Sequence, residues 1–242
     1  MKQHIELSPR LRLAADLVPQ GARLADVGTD HAYLPACLLL EGKIPWAIAS
    51  DLRKGPLDRA RETARQYGCG DKMAFRLCNG LAGIRPGEVD AIVIAGMGGE
   101  TIAQILEAAP WVLEEKIPLI LQPMSSLPEL RKWLGQHGYA IAKEQLAREG
   151  ETLYVVMRVT TGEMGTQTPG QLWAGRQSRD PLRGEYLDHL TQKLRRALDG
   201  MSKGKGEQIQ ARRQALEGVY KEMLAMKAVS YTHLTLPTTP YV

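Results

Sequence analysis

Residues Leu24–Pro35 read LADVGTDHAYLP and gather Asp26, Gly28, Asp30 and His31 into one short block. The apolar run Leu24-Ala25-Asp26-Val27 breaks at a glycine and feeds a helix-like stretch from Tyr33. A strand that turns into a helix this way presents free backbone N–H groups at the helix start. Gly28 has no Cβ and lets a ligand approach the backbone closely. Asp26, at the carboxyl end of a buried parallel strand, falls where open α/β sheets bind their ligands. The pattern is D-x-G-x-D-H and not G-x-G-x-x-G, so a dinucleotide pyrophosphate fits poorly. A carboxylate in this place suits a ligand with a cationic amine, such as the methionyl end of S-adenosylmethionine.

Other turns supply the rest of such a site. Asp51 ends the next strand, Trp46–Ser50, where an acid hydrogen-bonds the ribose hydroxyls of an adenosine ligand, and Leu52 lies beside it. The strand Met73–Leu77 exits through Cys78-Asn79-Gly80-Leu81, and the Asn79 amide could reach an adenine edge; Asn-Gly is equally an ordinary turn signal. Val89–Ala95, continuous and β-branched like a central strand, runs into Gly96-Met97-Gly98-Gly99. Three glycines in four residues let the backbone pass close to something flat or bulky. The strand Pro118–Pro123 leaves through the polar Gln122 and Pro123.

These turns need a scaffold, and the periodicity supplies one. Ser8-Pro9 opens a helix, Ser8 as cap, with Leu11, Ala14, Ala15 and Val18 on one face. Tyr33–Glu41, Pro56–Tyr67, Glu100–Ala108 and Leu127–Gln136 read as helices alternating with the strands. Tyr139–Leu146 and Leu153–Thr160 form a closing strand pair around Arg148–Glu151, unlike the last βαβ unit of a dehydrogenase. The fold class is α/β: a Rossmann-like sheet of the class I methyltransferase type with a terminal antiparallel strand pair. Residues 1–161 make this domain and 162–184 a linker. Residues 185–228 make a helical hairpin, with stripes Leu187, Leu190, Leu194, Ala197, Met201 and Ile209, Leu216, Val219, Met223, Met226 around Lys203–Gly206. Residues 229–242, without charge or periodicity, read as a non-native or disordered tail.

Hydrophobic residues at 44% and charged residues at 24% describe a globular chain. No run is long and apolar enough to span a membrane and the start resembles no signal peptide, so the expected location is the cytoplasm. Cys37, Cys69 and Cys78 have no metal or disulfide spacing. Residues 1–175 hold 19 Lys and Arg against 20 Asp and Glu, whereas 176–227 hold 12 against 7. A basic appendage on a neutral body points to an anionic partner, although solvated helices are often basic for no such reason.

Taken together, the blocks Leu7-Ser8-Pro9-Arg10-Leu11, Asp26–Pro35, Ile94–Gly99 and Leu119–Pro123, with the trailing hairpin, resemble the bacterial tRNA adenine-N1 methyltransferases that modify adenosine 22. The resemblance covers roughly residues 5–227. It implies a class I enzyme with S-adenosylmethionine as cofactor and tRNA as partner, no metal, no membrane, and a monomer unless the hairpin pairs two copies. The family's usual G-D-G-L turn is Cys78-Asn79-Gly80-Leu81 here. The resemblance assigns Asp26, Gly28, Asp51, Leu52, Asn79, Gly80 and Gly96 to the cofactor. Asp30, His31 and Met97 form the expected catalytic group. Gly98, Gly99, Gln122 and Pro123, with Arg195, Arg196, Arg212 and Arg213 on the hairpin, are the expected substrate contacts. Adenine N1 carries a lone pair and needs no base to remove a proton, so the enzyme must expose, align and tolerate a cationic product. Asn/Asp-Pro-Pro-aromatic, the signature of exocyclic-amine methylation, is absent from the fourth-strand turn. A small-molecule methyltransferase, a nicotinamide-dependent oxidoreductase and a non-catalytic tRNA-binding protein of the same fold are the competing classes.

Overall fold

The computed structural model describes residues 4–201 and 206–234, with side chains of the last helix described through residue 228. The chain divides into two compact units, residues 1–165 and 166–242. In the first, seven strands form one sheet in the order β3-β2-β1-β4-β5-β7-β6. β1 (Leu24–Val27), β2 (Ala47–Asp51), β3 (Met73–Leu77), β4 (Ala91–Gly98) and β5 (Leu119–Ser125) run parallel, and the hairpin β6 (Tyr139–Glu149)–β7 (Thr152–Thr161) adds antiparallel to β5. Burial explains the layout. Every residue of β1 and β2 is buried, as are Ile92, Val93 and Ile94 of β4 and Leu119–Leu121 of β5, which is the continuous apolar run that helices on both faces require.

The crossovers follow the expected periods, with shifted ends. α2 (Tyr33–Leu40) is apolar all round and lies in the core. α3 (Lys54–Gln66) begins two residues earlier than its apolar pattern. α4 (Gly99–Glu107), a short α5 (Trp111–Glu114) that the periodicity does not announce, and α6 (Leu127–Gln136) follow. α1 (Pro9–Leu17) starts after Ser8 as expected, but the Ser8 hydroxyl makes no capping bond and has no partner among the described residues. The hairpin is longer than the alternation suggested. Its ladder continues to Glu149↔Thr152, and Gly150 at φ +57 supplies the first turn residue of a tight II′-type connection.

The second unit corrects the linker. Residues 169–174 form α7 (Pro169–Ala174), where Thr168 and Gln171 make a reciprocal capping box and Pro169 occupies the first helical position. The Gly170 N–H donates to Glu222 at 3.0 Å, and a Cβ on Gly170 would meet the Glu222 side chain. α7 therefore docks on α9 (Glu207–Leu234), which also packs on α8 (Arg183–Met201). Leu187, Leu194, Val219 and Met223 from the two stripes are buried together with Ala174, and Lys227 pairs with Asp188, which sets α8 and α9 antiparallel. Ile209 is 39% exposed and lies outside that core. The turn residues 202–205 and the end of the tail, 235–242, lie outside the described residues, whereas α9 runs on past Ala228 to Leu234. Among the described residues no helix is long and apolar enough to cross a membrane.

One polar pair deep in the first unit joins α6 to the outer hairpin. Arg131 donates to Glu144 at 2.8 Å, and both side chains are fully buried. Removing one partner strands the other charge in a low dielectric. Arg131→Met should cost about 3–5 kcal/mol in urea unfolding, and adding Glu144→Leu should return most of it.

Candidate active site

The strand order reverses between β1 and β4, and the crevice beyond their carboxyl ends holds a cavity of about 440 Å³. Asp26, Gly28, Asp30, His31, Asp51 and Gly96 all line it, so six of the sequence-assigned residues converge. Gly28 and Gly96 adopt φ +76 and +78, a left-handed backbone that disfavours side chains. At Gly96 the β4–β5 register slips, and the strand bends as a bulge would make it bend. A Cβ at Gly96 would meet only the tip of Arg10, at 3.9 Å. The free N–H groups lie at the start of the helix, and the glycine turn itself offers none. The N–H groups of Gly28 and Thr29 both donate to the Ser50 carbonyl, at 2.8 and 2.9 Å, whereas the first turn of α2 has no side-chain cap and keeps its donors open.

Asp26 dominates the electrostatics. It is 7% exposed, and its Oδ2 accepts the Thr29 hydroxyl at 2.5 Å. Burial raises its pKa to about 6, the Thr29 bond opposes that rise, and the nearby Asp51 charge adds to it. The chain provides no cation to this carboxylate among the described residues. Asp51, 9% exposed, accepts the Arg53 N–H at 2.8 Å, which turns its carboxyl at the strand end. Asp30 is different. It is paired with the Arg59 guanidinium of α3, which holds its carboxyl below the usual range, and His31 Nε2 lies 3.5 Å away. His31 stacks on Tyr33 with ring centroids 5.1 Å apart and planes 6° apart, which makes a flat aromatic rim at the cavity mouth.

Several assigned residues do not enter this cavity. Met97 lies with its methyl end over Gly28, and so fills the space that a Cβ there would need. Gly98 caps α4 and Gly99 is buried, where a Cβ would strike the Ser126 carbonyl and Leu130; close packing of α4 on the β5–α6 turn requires that glycine, and a ligand does not. Gln122 is fully buried: its Oε1 accepts from the Gly96 N–H at 3.1 Å and from Arg10 Nη1 at 2.9 Å. Pro123 is buried beside it in register with Met97. Asn79 and Gly80 line a separate cavity of about 170 Å³ with Thr101, Gln104 and Ile105. Leu52 stands 66% exposed next to Asp51. Arg195, Arg196, Arg212 and Arg213 are exposed on α8 and α9 of the second unit, with Arg213 bonded to Glu217 at 2.9 Å. Sequence reasoning missed Arg10, Thr29 and Tyr33 as cavity residues. Thr29 and Tyr33 stand inside the block already singled out, whereas Arg10 is brought in from far upstream.

With this geometry established, three comparisons give it a context. A family described as "Methyltransferase domain" matches residues 7–157. The tRNA (adenine(22)-N(1))-methyltransferase of Bacillus subtilis strain 168 is 40% identical over 159 residues, 66% of this chain and 67% of that protein. The chain belongs to the tRNA (adenine(22)-N(1))-methyltransferase family. Two solved members show the extent of the likeness to this family. The B. subtilis m1A22 tRNA methyltransferase crystal structure superposes at a TM-score of 0.84, with 30% identity over 93% of this chain and 100% of that one. Sp1610 of Streptococcus pneumoniae, solved in complex with S-adenosyl-L-methionine, gives 0.80 with 33% identity over 92% and 100%.

The Asp26 geometry has a consequence for the free protein. Its folded pKa lies above the ordinary carboxylate value near 3.8, so folding favours the protonated acid. The associated stability is present below pH 3.8 and lost as pH rises to about 6. Asp26→Asn keeps an acceptor for Thr29 and removes the buried charge, so at pH 7 it should stabilise the ligand-free chain, by up to about 3 kcal/mol in urea unfolding. The gain should vanish near pH 4.

Proposed function

We propose that this chain methylates N1 of an adenosine in tRNA, at position 22, with S-adenosylmethionine as methyl donor. The observation that carries the reading is the buried Asp26 carboxylate without a cation, beside two left-handed glycines at the switch point. An adenosyl amino acid fits these residues. Its ammonium supplies Asp26 with the missing positive charge, and Gly96 leaves room for the backbone to lie against it. Asp51 receives the ribose hydroxyls. Leu52 and Leu77, 66% and 60% exposed at the ends of neighbouring strands, give a purine an apolar surface. When bound, S-adenosylmethionine supplies a sulfonium methyl, which passes to N1 as the carbon–sulfur bond breaks and the electron pair stays on sulfur.

The chain's own residues then have three tasks. Tyr33 and His31 offer their stacked planes to an incoming base at the cavity mouth. Asp30, whose charge is shared with Arg59, faces a product that gains positive charge, and His31 beside it needs no role as a base because N1 has no proton to lose. Gln122, from below, holds the Gly96 turn in place. The exposed arginines of α8 and α9 bind the RNA backbone without reading sequence.

Incubation of unmodified bacterial tRNA with the protein and S-adenosylmethionine should yield 1-methyladenosine on nucleoside analysis, and a tRNA with guanosine at position 22 should yield none. Methylation of that variant at another adenosine would refute the position, and transfer to no tRNA at all would refute the substrate class. Replacing Arg195, Arg196, Arg212 and Arg213 by Gln should weaken tRNA binding and make it less salt-dependent. The log–log slope should flatten by about 0.7–0.9 for each phosphate that is no longer neutralised. Affinity for S-adenosylhomocysteine should not change.

A further inference from the structure

α1 belongs to none of the strand–helix crossovers, yet its first turn delivers Arg10 to the cavity that holds Asp26. The side chain is held from several directions. Glu149 Oε1 accepts the Arg10 backbone N–H at 2.9 Å, and Glu149 Oε2 lies 3.4 Å from Nε. Gln122 Oε1 accepts from Nη1 at 2.9 Å, and the Tyr154 ring lies 5.7 Å from the guanidinium carbon. These holders come from β5, β6 and β7 and leave the side chain 24% exposed. Fixing so long a side chain sacrifices rotamer freedom. Nη2 has no partner among the described residues.

The cavity is therefore dipolar. A buried carboxylate, Asp26, stands on β1 opposite Val93 of β4, and an immobilised guanidinium reaches β4 at Gly96, three residues further toward the carboxyl end of that strand and on the same cavity wall. A group with an ammonium and a carboxylate on one carbon matches that order of charges. Asp26 and the glycines account for the ammonium and leave the carboxylate without a partner. We propose that Arg10 is the residue that binds the carboxylate of the cofactor's amino-acid end, held ready by Gln122 and Glu149. This rests on the cofactor reading above. An RNA phosphate is the other anion an arginine could take, but three-quarters burial within the Asp26 cavity favours the small zwitterion.

Calorimetric titration of the full chain with two probes tests the assignment. S-adenosylhomocysteine carries both charges, and its decarboxylated analogue S-adenosyl-3-thiopropylamine keeps only the ammonium. The native chain should prefer the first by about tenfold or more, the scale of a charge-assisted bond. Arg10→Gln should lose about that factor for S-adenosylhomocysteine and change less than about twofold for the analogue, so the preference collapses. Arg10→Lys should keep part of it, which serves as the test if the Gln variant does not fold. Equal losses for both probes, or no loss for either, would overturn the assignment. So would a variant that binds S-adenosylhomocysteine normally and loses only tRNA affinity, which would make Arg10 a phosphate ligand. If the native chain binds neither probe, the cofactor reading fails, and this assignment with it.

Discussion

Asp26 sits at the end of the central strand, flanked by β2 and β4, where water reaches it poorly and the chain sends it a single hydroxyl. A carboxylate in such surroundings resists ionisation, and its elevated pKa records the strain. A sheet built for stability alone would place an apolar or neutral residue there. The surrounding features follow from keeping an acid in that place. Glycines with left-handed backbone line the cavity beside it, Asp51 sits at the next strand end, and the fixed guanidinium of Arg10 gives the cavity its opposite pole. The polarity of the crevice exists before any ligand arrives, so binding requires little reorganisation of protein dipoles.

The sheet and its ligand-binding end are legible in the sequence because both depend on local patterns. Short apolar runs ending in Asp26, Asp51 and Gly96 can hardly be anything but buried parallel strands exiting at a cavity. The glycines show where legibility stops. Gly96 and Gly99 look alike in sequence, yet one is needed for its left-handed backbone beside the cavity and the other for close approach to the Ser126 carbonyl. Only the packing of α4 against the β5–α6 turn separates them. Gln122 reads as a substrate contact because it is polar at a strand exit, but its neighbours bury it completely and turn it into a support. Asn79 stands where the family's usual turn has an acid, and it lines a different cavity. Arg10 could not be found by spacing at all, since residues more than a hundred positions away hold it.

The second unit carries the same lesson on a smaller scale. Glycine, threonine and proline between 162 and 170 read as linker, yet Thr168 and Gln171 close a capping box and start a helix. That box is present in the sequence, but only six residues of helix follow, too few for a periodic apolar face to declare itself. Gly170 then permits the close approach of Glu222 that anchors the short helix to α9. The stripes of α8 and α9 are readable because the two helices bury them against each other. Ile209 falls outside the core because it belongs to the first turn of α9, where the apolar face has barely begun.

The bond between Arg10 and Glu149 spans 139 positions of chain. A ribosome delivers residue 10 early and residue 149 much later, at about 5–20 residues per second. The central strands, with Asp26, Gly28 and Gly96, can pair while synthesis continues, but the guanidinium has no Glu149 to settle against until the β6–β7 hairpin has emerged and added to β5. The helix that carries Arg10 is thus made well before the hairpin that fixes its guanidinium. The pocket reaches its two-signed form only when nearly all of the first unit has been made.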